Sequence, residues 1–240
     1  MRWLSSPPLL YWFLVCVLVA WAAGCARSAA PDPSPGLEGL PAGIEEPGGQ
    51  ESNTPGPAQA QYWEPFLFQP GQYFKYEISS GPRDGTWTTG WFSVDFVDAQ
   101  DGHITARWQG EMDGGSFSST LTAPSEDVMA HMLFGLMMQP SAAPVVSTLL
   151  APWWGIFFVG HSWELGAGWS FRSDLGSSSF EIVELREYAG VQGYLGRWVE
   201  DGSLKAEVCV APGVPLALYV RMEKDAEIQE SRLVEYRPSP

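Results

Sequence analysis

Basic side chains, histidines and cysteines are all scarce in this chain, and each shortage removes a class of function. Its 240 residues carry 13 Lys and Arg against 28 Asp and Glu, a formal net charge of −15. Binding nucleic acid through its phosphates needs a clustered basic face, which this balance does not supply. The three histidines, His103, His131 and His161, stand far apart and form neither an H-E-x-x-H nor an H-x-H pattern, so they predict no metal site. Gly-x-Ser-x-Gly is absent, which removes the nucleophile elbow of a lipid hydrolase. There is no phosphate loop and no Gly-x-Gly-x-x-Gly; Gly190, Gly193 and Gly196 have the wrong spacing. Acid pairs such as Glu111 with Asp113, or Glu181 with Glu184, read as charges on exposed strand faces rather than as a glycosidase pair. No catalytic activity and no cofactor are expected.

Charge is also sparse at the N-terminus, where Arg2 alone precedes an apolar run of 15 residues from Leu9 to Ala23. A membrane span needs about 20 such residues, so this run suits the core of a secretory signal. It closes on Ala22-Ala23-Gly24-Cys25, which resembles the lipobox of bacterial lipoproteins, departing from it at Ala22, where Leu is preferred, and at the bulky Trp21. The resemblance implies a signal peptide over residues 1–24 and a diacylglycerol on the Cys25 thiol, with a further acyl chain (palmitate) on the new amino group. Ordinary cleavage near Ala20-Trp21-Ala22, or retention as an uncleaved anchor, are the two other readings. Once Cys16 leaves with the signal and Cys25 is lipidated, Cys209 is alone and no internal disulfide is possible. Cys209 reads as a small half-buried filler in a strand, on the face opposite Leu204, Ala206, Val208 and Val210.

Residues 26–60 hold 13 Gly or Pro in 35 positions and no aromatic residue. Such a stretch cannot bury enough apolar surface to offset the entropy of ordering it. As a random coil it spans roughly 30 to 35 Å, enough to hold a domain clear of a membrane. Residues 25–60 are therefore expected to be a lipidated tether, and residues 61–240 a single β-rich domain. That domain carries 11 basic and 23 acidic side chains, a net of 11 − 23 = −12.

Within the domain the apolar pattern has period two. Phe74, Tyr76 and Ile78 share one strand face, as do Phe92, Val94 and Phe96, then Ile104, Ala106 and Trp108, and Phe117 with Leu121. Asp101-Gly102 and Asp201-Gly202 carry the signature of tight hairpin turns. The alternation returns in FEIVELREY, GYLGRWVEDGSLKAEVCVA, PLALYVRMEK and AEIQESRLVEYR. The count predicts a mainly β domain: a curved antiparallel sheet or half-barrel of about nine or ten strands. Nine tryptophans follow residue 60; they read as core fillers, a sugar-stacking surface being the other option, with Trp87 and Trp91 the two to watch for exposure.

From Val128 to Trp163, 36 consecutive residues contain no Asp, Glu, Lys or Arg. A helical insertion is expected over about 125–158, packed on or near the concave face of the sheet. Ser125 is the expected cap, with Glu126 and Asp127 in the first turn and Pro140 as the stop. Val128, Met129, Met132, Leu133 and Leu136 mark one apolar face, while Phe134, Met137 and Met138 make the second half apolar all round, so burial on most sides is expected. Prolines 140, 144 and 152 leave no unbroken apolar helix near 20 residues, which argues against a membrane span. One reading of the insertion is plain burial in the core. The other is a ligand pocket lined by Met129, Met132, Leu133, Phe134, Leu136 and Met137, with Trp153, Trp154, Phe157 and Phe158.

The lipobox, the Pro-rich leash and the strands interrupted by short helices resemble the envelope lipoproteins and carriers with an unclosed β-barrel, the LolA/LolB/LppX-like group. APGVPLALYVRMEKDAEIQESRLVEY resembles the paired strands of that group, and Val159-Gly160-His161-Ser162-Trp163 the entry to its second half. The resemblance implies a hydrophobic cavity between sheet and helices that holds acyl chains or another lipid. It implies an envelope location: an outer membrane facing the periplasm, or the outer face of a cytoplasmic membrane. Two functions follow: a membrane-anchored carrier of a lipid or other hydrophobic ligand, or a non-enzymatic module that docks another envelope protein.

Overall fold

The structure is a computed structural model and describes residue 63 and residues 67–154, 163–174, 176–224 and 226–240. All of them lie in one unit, Pro55–Pro240. The signal segment, Cys25, the tether and the Val159–Ser162 part of the entry motif lie outside the described residues.

Ten strands form one antiparallel sheet. They are β1 (Tyr73–Pro82), β2 (Thr88–Gln100), β3 (His103–Met112), β4 (Gly115–Pro124), β5 (Gly168–Ser173), β6 (Gly176–Tyr188), β7 (Val191–Glu200), β8 (Ser203–Val210), β9 (Tyr219–Lys224) and β10 (Glu227–Arg237). Their order is β4-β3-β2-β1-β10-β9-β8-β7-β6-β5, so the first and last strands of the chain pair in the middle and the sheet stays open at both edges. The expected mainly β half-barrel is therefore the observed architecture. Between β4 and β5 the chain forms two short helices, α1 (Val128–Met137) and α2 (Ala143–Trp154), separated by a single 3-10 turn at Pro140–Ala142.

Hairpin chemistry sets this order. At Asp101-Gly102 φ is 53° and 77°, and at Asp201-Gly202 it is 49° and 75°. Two successive positive φ values define a type I′ turn, whose twist matches that of the strands it joins. Asp113-Gly114 makes the same turn between β3 and β4, with φ of 56° and 73°. Ala189 does so before Gly190 at φ 50°, with no turn signal of its own in the sequence.

The apolar face read from the alternation is the buried one. Phe74, Phe92, Val94, Phe96 and Ala106 are fully enclosed, joined by Tyr76, Ile78, Ile104 and Trp108. The Tyr76 hydroxyl is buried there and donates to the Ala217 carbonyl at 2.8 Å; burial pushes its pKa up. On the β6–β9 side a second cluster (Phe180, Ile182, Val208, Val210 and Val220) lies on the same face beneath Trp63 and Trp163. Trp63 donates from its indole nitrogen to the Val214 carbonyl at 2.8 Å, which ties the start of the described chain to the β8–β9 connection.

The sheet curls strongly. Strands β6 and β10 are four positions apart in the order, roughly 19 Å in a flat sheet at about 4.8 Å per strand. They nevertheless approach within 8 Å, Cα to Cα. A β-bulge between Ile182 and Glu184 leaves Val183 unpaired on β6, and a second between Trp198 and Val199 interrupts the β7–β8 ladder. Bulges raise local twist, which is how the last residues of β6 come to lean over the face opposite the helices.

Candidate functional site

Helix α1 packs on β3 and β4, and α2 on β1 and β10, all on the apolar face. Gly135 permits close approach of α1, because a Cβ there would sit 3.1 Å from the Trp108 ring. Two polar links fix α2: the Thr148 and Ser231 hydroxyls meet at 2.7 Å, and the Gln229 amide donates to the Pro144 carbonyl at 2.6 Å. Buried hydroxyls need partners, so this pairing sets the register of helix on sheet. The start of α1 differs from expectation. Asp127 rather than Ser125 is the cap residue and makes no side-chain capping bond, and the first turn carries no acid. Ser125 instead pairs backbone to backbone with Gly102 at 3.0 Å, while its hydroxyl contacts the Glu126 carboxylate. Strand β4 ends one residue before this position, so the chain is still held to the β2–β3 turn and the regular helix begins only at Val128.

Residues expected to line a pocket divide into two groups. Met129, Met132, Leu133 and Leu136 are buried against the sheet, with Met132 and Leu136 at 0% exposure. Phe134 and Met137 face outward, 61% and 46% exposed, and Met138 beside them is 70% exposed. Helix α1 is thus buried on one side only, rather than on most sides as its composition suggests. Trp153 and Trp154 fall in the last turn of α2, whose side chains are not described, and Phe157 and Phe158 lie outside the described residues. No described helix is long and apolar enough to cross a membrane, and α1 is bent by 119° from the segment Pro140–Leu150.

A second feature lies on the other, open face of the sheet. It is a groove of about 820 Å³ that crosses β2, β1, β10 and β9, bounded by Glu111 of β3 at one end and by Arg186 and Tyr188 of β6 at the other. None of Met129, Met132, Leu133, Phe134, Leu136 and Met137 lines it. Pairing explains its floor: Trp91, Glu77, Arg232 and Tyr219 stand opposite one another in successive registers and so project from one face, the face that Cys209 shares. Tyr188 and Tyr219 stack with ring centres 5.3 Å apart and planes 5° from parallel. They belong to strands three positions apart, so the contact exists only because the sheet curls.

Ion pairs organise the polar part of the floor. Arg232 meets Glu77 at 2.5 Å, Arg221 meets Glu230 at 3.3 Å, and Arg186 pairs with Glu184 and also donates to the Tyr188 hydroxyl at 3.3 Å. Lys75 places its ammonium 5.5 Å from the centre of the Trp91 ring, within cation–π range. Beyond the groove, Glu223 is nearly buried and holds both Arg221 at 2.6 Å and Arg83 at 2.5 Å. Burial pushes its carboxyl up, but hydrogen bonds from Arg221 and Arg83 outweigh that, and the net pKa lies below the usual carboxylate range.

Cys209 is on the face opposite Val208 and Val210, as expected, but is fully buried rather than half-buried. From Ala206 to Val210 every residue of β8 is buried, because the open face here is covered by Leu195, Tyr219 and the stacked Tyr188. Burial pushes the thiol pKa up to about 12, the opposite of what a nucleophile needs. Among the described residues no group of His, Cys, Asp and Glu is arranged to hold a metal ion.

No protein-family model and no curated protein matches the sequence. Solved structures similar to it include MucB, at 11% identity and a TM-score of 0.35 over 70% of this chain and 55% of that one. A putative exported protein with a YmcC-like fold from Bacteroides fragilis matches at 10% identity and a TM-score of 0.31, covering 75% of this chain and 100% of that one. A LolA superfamily protein from Nitrosomonas europaea matches at 11% identity and a TM-score of 0.24, covering 73% and 90%. The chain spans about half the length of the MucB structure. All three TM-scores lie below 0.5.

Proposed function

We propose that this is an envelope lipoprotein, tethered through Cys25 and the 26–60 leash, whose folded unit acts by binding an apolar partner rather than by catalysis. The observation that carries this reading is the exposed corner of α1, where Phe134, Met137 and Met138 project from a segment without formal charge. Solvated helix faces of soluble proteins normally carry charge, and contiguous exposed apolar side chains mark an interaction surface. The inner face of the same helix is used in packing Met132 and Leu136 on the sheet, which favours docking of another envelope protein over carriage of a lipid inside the fold.

The test uses the full chain in its native membrane. Cys25→Ala is expected to abolish lipid labelling and release the protein in soluble form. A photo-crosslinker at position 137 is expected to join the chain to a single envelope protein, and Phe134→Ser with Met138→Ser to remove that adduct. Crosslinks to lipid alone, with stoichiometric lipid in the purified protein, would instead establish the carrier.

A further inference from the structure

The groove on the open face is chemically unlike the α1 corner, and its lining narrows what it can hold. Its charges cancel: Lys75, Arg186 and Arg232 face Glu77, Glu111 and Glu230. A phosphate or another concentrated anion would have to compete with Glu77 and Glu184 for the two arginines, while a cation would meet three positive side chains. An acyl chain is disfavoured more strongly, because covering six ionisable groups with hydrocarbon removes their hydration and offers no polar partner in exchange. An extended peptide cannot add as a strand, since β2, β1, β10 and β9 are each paired on both sides and offer no free backbone edge.

What the lining does offer is aromatic surface beside planar hydrogen-bonding groups with spare capacity. Trp91 and Tyr188 are half-buried and flank the floor from opposite ends. A guanidinium has five donors and a carboxylate about four acceptor sites, so the Arg232–Glu77 pair satisfies one contact and keeps others for a ligand. Sugars match this combination: their C–H faces lie on aromatic rings, and adjacent hydroxyls both donate and accept. The groove crosses five successive strands from β3 to β9, and its volume of about 820 Å³ suits an oligomer rather than a single ring.

We propose that the open-face groove, framed by Trp91, Tyr188 and the Arg232–Glu77 pair, is a binding site for a neutral oligosaccharide. It is separate from the α1 corner and independent of the docking reading. The test is calorimetric titration of the detergent-solubilised full chain with three neutral tetrasaccharides: chitotetraose, cellotetraose and maltotetraose. Dodecyl phosphocholine and a tetra-aspartate peptide serve as the lipid and peptide alternatives. At least one tetrasaccharide is expected to bind, and Trp91→Ala to weaken it about tenfold or more, the factor equivalent to about 1.4 kcal/mol. Lys75→Met, which keeps the ring and removes only its cation, is expected to weaken binding less. It also serves as the second variant should Trp91→Ala fail to fold. Phe134→Ser is expected to leave sugar affinity unchanged, so loss of the docking partner and loss of sugar binding are separately visible. Binding of none of the tetrasaccharides at millimolar concentration overturns the proposal, and so does sugar binding that neither Trp91→Ala nor Arg232→Gln alters.

Discussion

The two faces of this sheet are made by the same strands and follow opposite rules. On the covered face, β1–β4 present Phe74, Phe92, Phe96 and Trp108 to α1 and α2, and the energy is burial of apolar area. On the open face the same strands present Lys75, Glu77 and Trp91, which meet Arg232 and Tyr219 from β10 and β9. Energy there comes from ion pairs in partial contact with water, which contribute little. One face therefore carries stability and the other is free to carry specificity. Where the pairing is regular the two can be changed separately, because successive side chains point to opposite faces.

The sharpest test of that division is on the covered face. Phe96 is fully buried and stacks on Phe68 at 4.1 Å, so Phe96→Ala should cost about 3–5 kcal/mol in denaturant unfolding. Met132 and Met138 then compare the two sides of one helix. Met132→Ala should cost about 2–5 kcal/mol, whereas Met138→Ser, at a 70% exposed position, should stay within about 0.5 kcal/mol. Equal effects would mean that α1 is not held to the sheet as described.

On the other face, Arg221→Met should cost about 1 kcal/mol near neutral pH, because Glu223 loses one of its two charged partners. The sign with pH is set by the lowered pKa of Glu223. Its stabilisation is complete above the ordinary carboxylate range and is lost as pH falls through the lowered folded value. The difference between parent and variant should therefore shrink on acidification; a difference that grows would contradict the pairing. A smaller effect than that of Arg221→Met is expected at Glu77→Gln, whose pair with Arg232 is more than half exposed on both sides: roughly 0–1 kcal/mol, reduced further by salt.

Much of the covered face was readable from single residues. Phe74-x-Tyr76-x-Ile78 and Phe92-x-Val94-x-Phe96 declare their buried side by alternation alone, and Asp-Gly at 101 and 201 declares the turns. Asp113-Gly114 carried the same signal one strand later. The groove was not readable. Its floor looked like the solvent side of ordinary strands, and its two ends come from β2–β3 and from β6, some 75 to 100 residues apart in sequence. Only Trp91, an aromatic on the polar face of its strand, hinted at it. Full burial of Cys209 was hidden for the same reason: its cover comes from Tyr188, placed by the curl of β6 after the bulge at Val183.

Periodicity and local backbone preference suffice for the strands, their buried face, the hairpin turns and the charge-free insertion, so these are legible in the residues alone. The sequence also set the expectation of an anchor and leash. Tertiary structure decided which half of α1 is spent on the core and which is left exposed. It also brought Arg186 and Tyr188 to the open face, at the far end of the groove from Trp91. The first turns on how α1 seats against β3 and β4, the second on twist and bulge accumulated along the sheet, and no short window of residues contains either.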